Sequence, residues 1–268
     1  MQIRAAYSST ISRPDFREFS PNRYLDPITE NIVFGNPNLK ATYITNYDLK
    51  YEWYFQSDEM VSVALFDKEF TDPIETVVKV NAADGNTLEQ TYRNAQSASS
   101  YGIELDYRKR FGFLGHGLDN LLFAANVALI QSKVTIQNDP NDPFVSGLTT
   151  KDRPMQGQSP YVVNLQLGYD DKDKGDSALF LFNQIGERIV VLGTDKNEDQ
   201  YQQPFAKLDF VTQWKLNNYY LKDSDFVYSL KFKAENLLDS EQTVTQGDLT
   251  TLSTKPGRDF SLSLKIAY

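Results

Sequence analysis

The sequence predicts an all-β fold, an antiparallel up-and-down meander of the kind that forms the wall of a transmembrane β-barrel. Three observations predict it: a two-residue apolar period, unusually long segments that carry it, and connections that alternate between short and long. The period is clean at 47–55, where Tyr47, Leu49, Tyr51, Trp53 and Phe55 alternate with Asp48, Lys50, Glu52 and Tyr54. It recurs at 161–170 (Tyr161, Val163, Leu165, Leu167, Tyr169), at 208–216 (Leu208, Phe210, Thr212, Trp214, Leu216) and at 226–234 (Phe226, Tyr228, Leu230, Phe232, Ala234). Residues 260–268 repeat it with Phe260, Leu262, Leu264, Ile266 and Tyr268. Such alternation marks strands with one apolar and one wet face.

About ten strands are expected, near 2–12, 42–55, 59–78, 90–110, 119–137, 159–171, 176–191, 205–217, 225–236 and 258–268. Several exceed the usual five or six residues of globular strands, as a tilted membrane crossing requires. Short connections follow Phe55, Asp170 and Leu216, with another at 112–120; long ones lie at 13–41, 138–158, 192–204 and 237–257, with a shorter tip near 79–88. Outer-membrane barrels have short periplasmic turns and long extracellular loops. Running the last strand toward the periplasm places every long connection outside and Tyr268 at the periplasmic face. Aromatic residues gather near the short turns: Trp53, Tyr54, Phe55, Tyr107, Phe111, Tyr169, Trp214, Tyr219, Tyr220 and Tyr268. They fit an interfacial girdle, although cross-strand packing in a soluble sheet also uses aromatics.

Composition narrows the function classes. Of 268 residues, 40% are hydrophobic and 13% aromatic, and mean hydropathy is −0.48. The longest apolar run, Leu121 to Ile130, is broken by Asn126 and falls well short of the roughly 20 residues of a membrane helix. A helical membrane protein is therefore excluded, whereas a membrane barrel needs only alternate residues to be apolar. Cysteine is absent, which removes disulfides and thiolate chemistry. A net charge of −9 argues against a nucleic-acid partner. Met1-Gln2-Ile3-Arg4 runs straight into a strand pattern, without a signal peptide.

Four segments taken together resemble the C-terminal barrel half of TonB-dependent outer-membrane receptors. They are Ser12-Arg13-Pro14-Asp15-Phe16-Arg17-Glu18-Phe19-Ser20-Pro21; Gly35-Asn36-Pro37-Asn38-Leu39-Lys40 with Asn46-Tyr47-Asp48-Leu49; Val61-Ser62-Val63-Ala64-Leu65-Phe66 with Asp72-Pro73-Ile74; and Asn236-Leu237-Leu238-Asp239 with Pro256-Gly257-Arg258. Ala41 stands where that family usually has proline. The resemblance spans nearly the whole chain, though its motifs sit in 4–75 and 230–268. It implies that residues 1–268 are the last ten or so strands of a barrel of about 22 strands with a plugged lumen. On that expectation the chain is a fragment without signal peptide, plug or TonB-engaging segment.

The implied function is uptake of a scarce large solute (siderophore-bound iron, cobalamin, haem or an oligosaccharide) across the bacterial outer membrane. The implied partners are the TonB complex through the plug, the barrel-assembly machinery, outer-membrane lipid and an unknown small-molecule or oligosaccharide ligand. No cofactor and no enzymatic chemistry are expected. Ligand-facing candidates in the long connections are Tyr24, Asn31, Tyr92, Phe144, Arg153, Tyr201 and Gln202; this rests on location, and folded-loop packing explains each equally well. Arg13 and Arg17 read as structural. Phe260, Leu262, Leu264, Ile266 and Tyr268 resemble the signal read by the barrel-assembly machinery.

Two alternatives stay open: a self-sufficient ten-stranded pore or hydrolase, and a soluble β-rich binding module. The hydrolase is disfavoured because the only histidine, His116, lies between glycines in an expected periplasmic turn. Asp139, Asp142, Asp195, Glu198, Asp199, Asp171, Asp173 and Asp176 offer oxygen ligands for Ca²⁺, but none completes a calcium loop and ordinary turn chemistry explains them.

Overall fold

The computed structural model describes residues 1–27, 30–80, 87–115, 117–136, 143–194, 198–222 and 224–268. His116, Asp139, Asp142 and Asp195 lie outside the described residues, as does the side chain of Phe144. No described helix is long and apolar enough to cross a membrane.

In chain order the strands are β1 (Gln2–Ser12), β2 (Arg23–Leu25), β3 (Ile32–Phe34), β4 (Thr42–Gln56), β5 (Glu59–Thr71), β6 (Ile74–Val80), β7 (Leu88–Asn94), β8 (Ser97–Arg110) and β9 (Leu121–Thr135). They continue with β10 (Tyr161–Asp171), β11 (Asp176–Ile185), β12 (Arg188–Val191), β13 (Gln200–Gln202), β14 (Phe205–Lys215), β15 (Val227–Glu235), β16 (Gln242–Gln246), β17 (Leu249–Thr254) and β18 (Asp259–Ala267). A single helical turn, α1 (Phe16–Phe19), follows β1.

The expected long strands form one ten-stranded antiparallel sheet in the order β1-β4-β5-β8-β9-β10-β11-β14-β15-β18. Each long strand pairs with the next long strand in the chain, which is the expected meander, and β1 and β18 form its edges. The short connections fall at one end and the long ones at the other.

Three expected strands run on too far. Segment 59–78 breaks after Thr71, where Asp72 takes a positive φ of 53° and Pro73 follows; a ladder cannot pass a residue without an N–H. Segment 90–110 begins at Ser97, because 88–94 is the separate β7. Segment 176–191 stops at Ile185, and Gly186-Glu187 separates it from β12.

The register gives the two faces of the sheet opposite chemistry. Phe123, Leu167, Phe180, Phe210, Ala234 and Phe260 stand on one line across β9, β10, β11, β14, β15 and β18. Large apolar side chains on this face are widely exposed, Leu262 at 69% and Leu264 at 57%. In a membrane barrel such a face is the one that meets lipid. On the opposite face Gln2, Glu52, Ser62, Asp106, Asn126, Asn164, Asn183 and Lys207 form a polar line across β1, β4, β5, β8, β9, β10, β11 and β14. Ser62 Oγ donates to Asp106 at 3.0 Å and Asn126 Nδ2 donates to it at 2.6 Å; Asn164 donates to Asn126 at 3.3 Å and Asn183 to Asn164 at 2.7 Å. Arg4 lies 3.1 Å from Glu52, and Lys207 lies 3.0 Å from Asp209.

At the short-turn end, Lys172 pairs with Asp58, Arg110 with Asp170 at 2.8 Å and Lys109 with Glu59 at 2.5 Å. The Lys172 contact holds the Asp58 carboxyl below its usual range. Tyr219 donates to Asp176 at 2.6 Å, and this bond pushes its phenol up to about 12. Of the aromatics assigned to the girdle, Tyr54 falls on the polar face, because it pairs one position out of phase with Trp53 and Phe55.

Candidate functional site

The long connections fold into two further sheets. One has the order β2-β3-β7-β6 and joins the first two long connections; its β3–β7 pair is parallel, with Ile32 opposite Glu89. The other has the order β12-β13-β16-β17 and joins the last two. A small apolar core of Val77, Leu148, Ile189 and Leu192, flanked by Phe34, Ile136 and Tyr201, draws on four of the long connections. The cap is therefore one packed unit rather than a set of separate loops.

Buried polar contacts lock the cap together. Arg153 and Glu75 form a two-pronged pair at 2.9 and 2.7 Å, with the guanidinium side chain 1% exposed. Gln156 bridges two connections, accepting from Thr76 N at 3.2 Å and donating to Val190 O at 2.8 Å. Gly35 sits where an added Cβ would lie 2.3 Å from Ser20 O and 2.7 Å from the carbonyls of Arg17 and Glu18, so the turn after α1 closes onto it only without a side chain. Asn36 Nδ2 donates to Tyr92 O at 3.0 Å, and Asn94 exchanges bonds with Lys40 at 2.9 and 3.0 Å.

Between the two cap sheets lies a cleft of about 460 Å³. Asn31 and Leu88 line one wall. Gln200, Gln202, Gln242, Thr251 and Thr254 line the other, with Val190, Val191, Val244 and Leu252 between them. The strand period explains the second wall: Gln202 pairs with Val244, Val244 with Leu252, and Gln242 with Thr254, so these side chains share a face. Thr251 is the extra residue of a bulge, left between Leu252 opposite Val244 and Thr250 opposite Thr245. Gln202 is 4% exposed. Its Oε1 accepts from Arg188 Nε at 2.9 Å, while its Nε2 has no hydrogen-bond partner among the described residues. A buried donor left unpaired costs about 1–3 kcal/mol.

A neighbouring cavity of about 400 Å³ is acidic, lined by Glu187, Glu198, Asp199, Tyr201 and Gln203. Asp199 Oδ1 accepts from Gly193 N at 2.7 Å. Burial pushes the Tyr201 phenol above its usual value, and the charges of Asp199 and Glu187 push it further. Among the described residues, no group of three or more His, Asp or Glu side chains has the geometry to hold a metal ion.

Of the residues singled out from sequence, Asn31 and Gln202 meet in the central cleft. Arg153 and Tyr201 both border a second hollow on the cap, and Tyr201 also faces the acidic cavity. Tyr24 lies with Phe16 and Arg17 in a separate hollow. Tyr92 is half-buried on β7, and burial raises its phenol. Gln200, Gln242, Thr251 and Thr254 were not singled out. The alternation of Gln242, Val244 and Gln246 was the available signal, though over too few residues to stand out.

The family model described as "TonB dependent receptor-like, beta-barrel" matches residues 1–237. A mutant of the ferric enterobactin receptor PfeA from Pseudomonas aeruginosa superposes with TM-score 0.60 at 16% identity, over 99% of this chain and 38% of that one. The siderophore receptor PirA from Acinetobacter baumannii gives TM-score 0.60 at 16% identity, over 99% and 39%. The FrpB iron transporter from Neisseria meningitidis gives 0.54 at 14%, over 87% and 31%. The chain thus spans less than two fifths of the length of these structures. No curated protein sequence matched.

Proposed function

This chain belongs to the TonB-dependent receptor β-barrel family, a family of bacterial outer-membrane proteins, and on that premise we propose that it forms wall and ligand-facing cap of a receptor for a scarce, large solute. Iron bound to a siderophore is the first candidate, because the structural neighbours include siderophore receptors and an iron transporter; cobalamin, haem and oligosaccharides share this kind of wall. The observation that carries the reading is the joint cap. The long connections pack into one unit with a cleft between its two sheets, beside a wall that is polar on one face and apolar on the other. Such a cap offers a packed, concave surface to a solute, which supports binding.

Coupling to TonB would run through a plug in the lumen, against the polar face. The alternating strand Phe260, Leu262, Leu264, Ile266 and Tyr268 would serve the barrel-assembly machinery as well as the lipid contact. Residues 1–268 act in this reading as one barrel portion.

The test is uptake by cells with and without the gene. Under iron limitation, deletion abolishes saturable accumulation of a radiolabelled ferric chelate, and a protonophore abolishes the same fraction in the parent. Accumulation that persists with the protonophore, or recovery of the protein in the soluble fraction, overturns the proposal.

A further inference from the structure

We propose that the cleft between the two cap sheets receives an uncharged ligand face made of amide and hydroxyl groups, so that the solute is neutral rather than anionic. The inference rests on the receptor reading and narrows it. The polar groups that line it are the carboxamides of Asn31, Gln200, Gln202 and Gln242 and the hydroxyls of Thr254 and of Thr251, which donates to Val244 O at 3.2 Å. Among the described residues, none that lines the cleft ionises near neutral pH. Carboxamides and hydroxyls both donate and accept, so they match ligand groups that do the same. A charged group entering this cleft would lose hydration and meet no counter-charge among the described residues that line it. Arg188 does not line the cleft; its Nε fixes the Gln202 carboxamide with Nε2 left over. That spare donor calls for an acceptor such as a carbonyl or hydroxyl oxygen. The aliphatic side chains between the polar groups suit methylene stretches of a ligand.

Applied to iron carriers, the argument separates two chemistries. A ferric tris-catecholate is a multiply charged anion. A ferric tris-hydroxamate is neutral, because its deprotonated oxygens balance the metal, and it carries amide-like carbonyls on aliphatic linkers. A neutral oligosaccharide offers the same kind of face from hydroxyls alone.

Outer-membrane vesicles from cells with and without the protein distinguish these sources. The probes are a radiolabelled ferric tris-hydroxamate, a ferric tris-catecholate and maltohexaose. Saturable binding is expected for a neutral probe and not for the catecholate. Tightest binding of the hydroxamate identifies an iron chelate, and tightest binding of maltohexaose identifies a saccharide; either upholds the neutral class. Replacing two carboxamides together, Gln200→Ala with Gln242→Ala, lowers affinity about tenfold. The exposed Gln242→Lys shifts preference toward the catecholate while the protein keeps its heat-modifiable mobility. Tightest binding of the catecholate by the unaltered protein overturns the inference and leaves the receptor reading standing. Absence of saturable binding for every probe also overturns the inference, while the receptor reading stands or falls with the uptake test given for it.

Discussion

At the scale of single residues, the cap depends on polar groups that are buried and paired. Arg153 was expected among the ligand-facing residues, and its guanidinium is taken up by Glu75 at 2.7 and 2.9 Å. The partners lie 78 positions apart, so no local pattern announces the pair. Planar, two-pronged geometry makes this an Arg-specific contact. Removing one charge strands the other in a site that excludes water. Glu75→Gln should destabilise the cap by roughly 3–5 kcal/mol, seen as faster amide hydrogen exchange in 74–80 and 148–156 with unchanged exchange in β9 and β10. Unchanged exchange in the cap would show that the pair contributes nothing there. Asn236 is a second such residue. Its positive φ of 54° and its bonds to Gly257 O and Ser240 O, at 2.9 and 3.3 Å, explain why that segment reads as a motif: the turn needs a side chain that tolerates the left-handed region and satisfies its own carbonyls.

At the scale of elements, the ten long strands were legible and the eight short ones were not. A long strand carries enough alternations to identify itself, as 161–169 and 260–268 do. β13 has three residues and β16 has five, too few for a period to stand out. Their pairing partners are also distant in sequence: β3 lies against β7, and β13 against β16. The same distance hid the cleft, since Asn31 and Gln202 come from connections on opposite flanks of the sheet. The Gly35 segment was visible as a motif, but its reason is three-dimensional. Gly35→Ala forces a methyl against three carbonyl oxygens of the α1 turn. It should cost about 1–3 kcal/mol and loosen residues 13–40 to limited proteolysis, with the long strands still protected. Equal protease resistance in the alanine variant would mean that the turn relaxes freely.

At the scale of the whole molecule, the two faces of the sheet make opposite demands. Leu165 shares the apolar face, opposite Ala125 and Phe182, and Gln166 beside it shares the polar one. Leu165→Arg should destabilise the protein in lipid vesicles by about 2–4 kcal/mol, and Gln166→Arg by much less; urea unfolding followed by tryptophan fluorescence measures both. Equal effects would remove the assignment of faces. The polar line from Gln2 to Lys207 adds a mechanical property to this arrangement. Backbone ladders alone let a curved sheet flex like slats on leather straps, each inter-strand joint opening or closing cheaply. The bonds from Ser62 and Asn126 to Asp106, and onward through Asn164 to Asn183, cross those joints side to side. They brace the polar face side to side, so bending any one of these joints strains a chain of side-chain bonds as well as the backbone ladder.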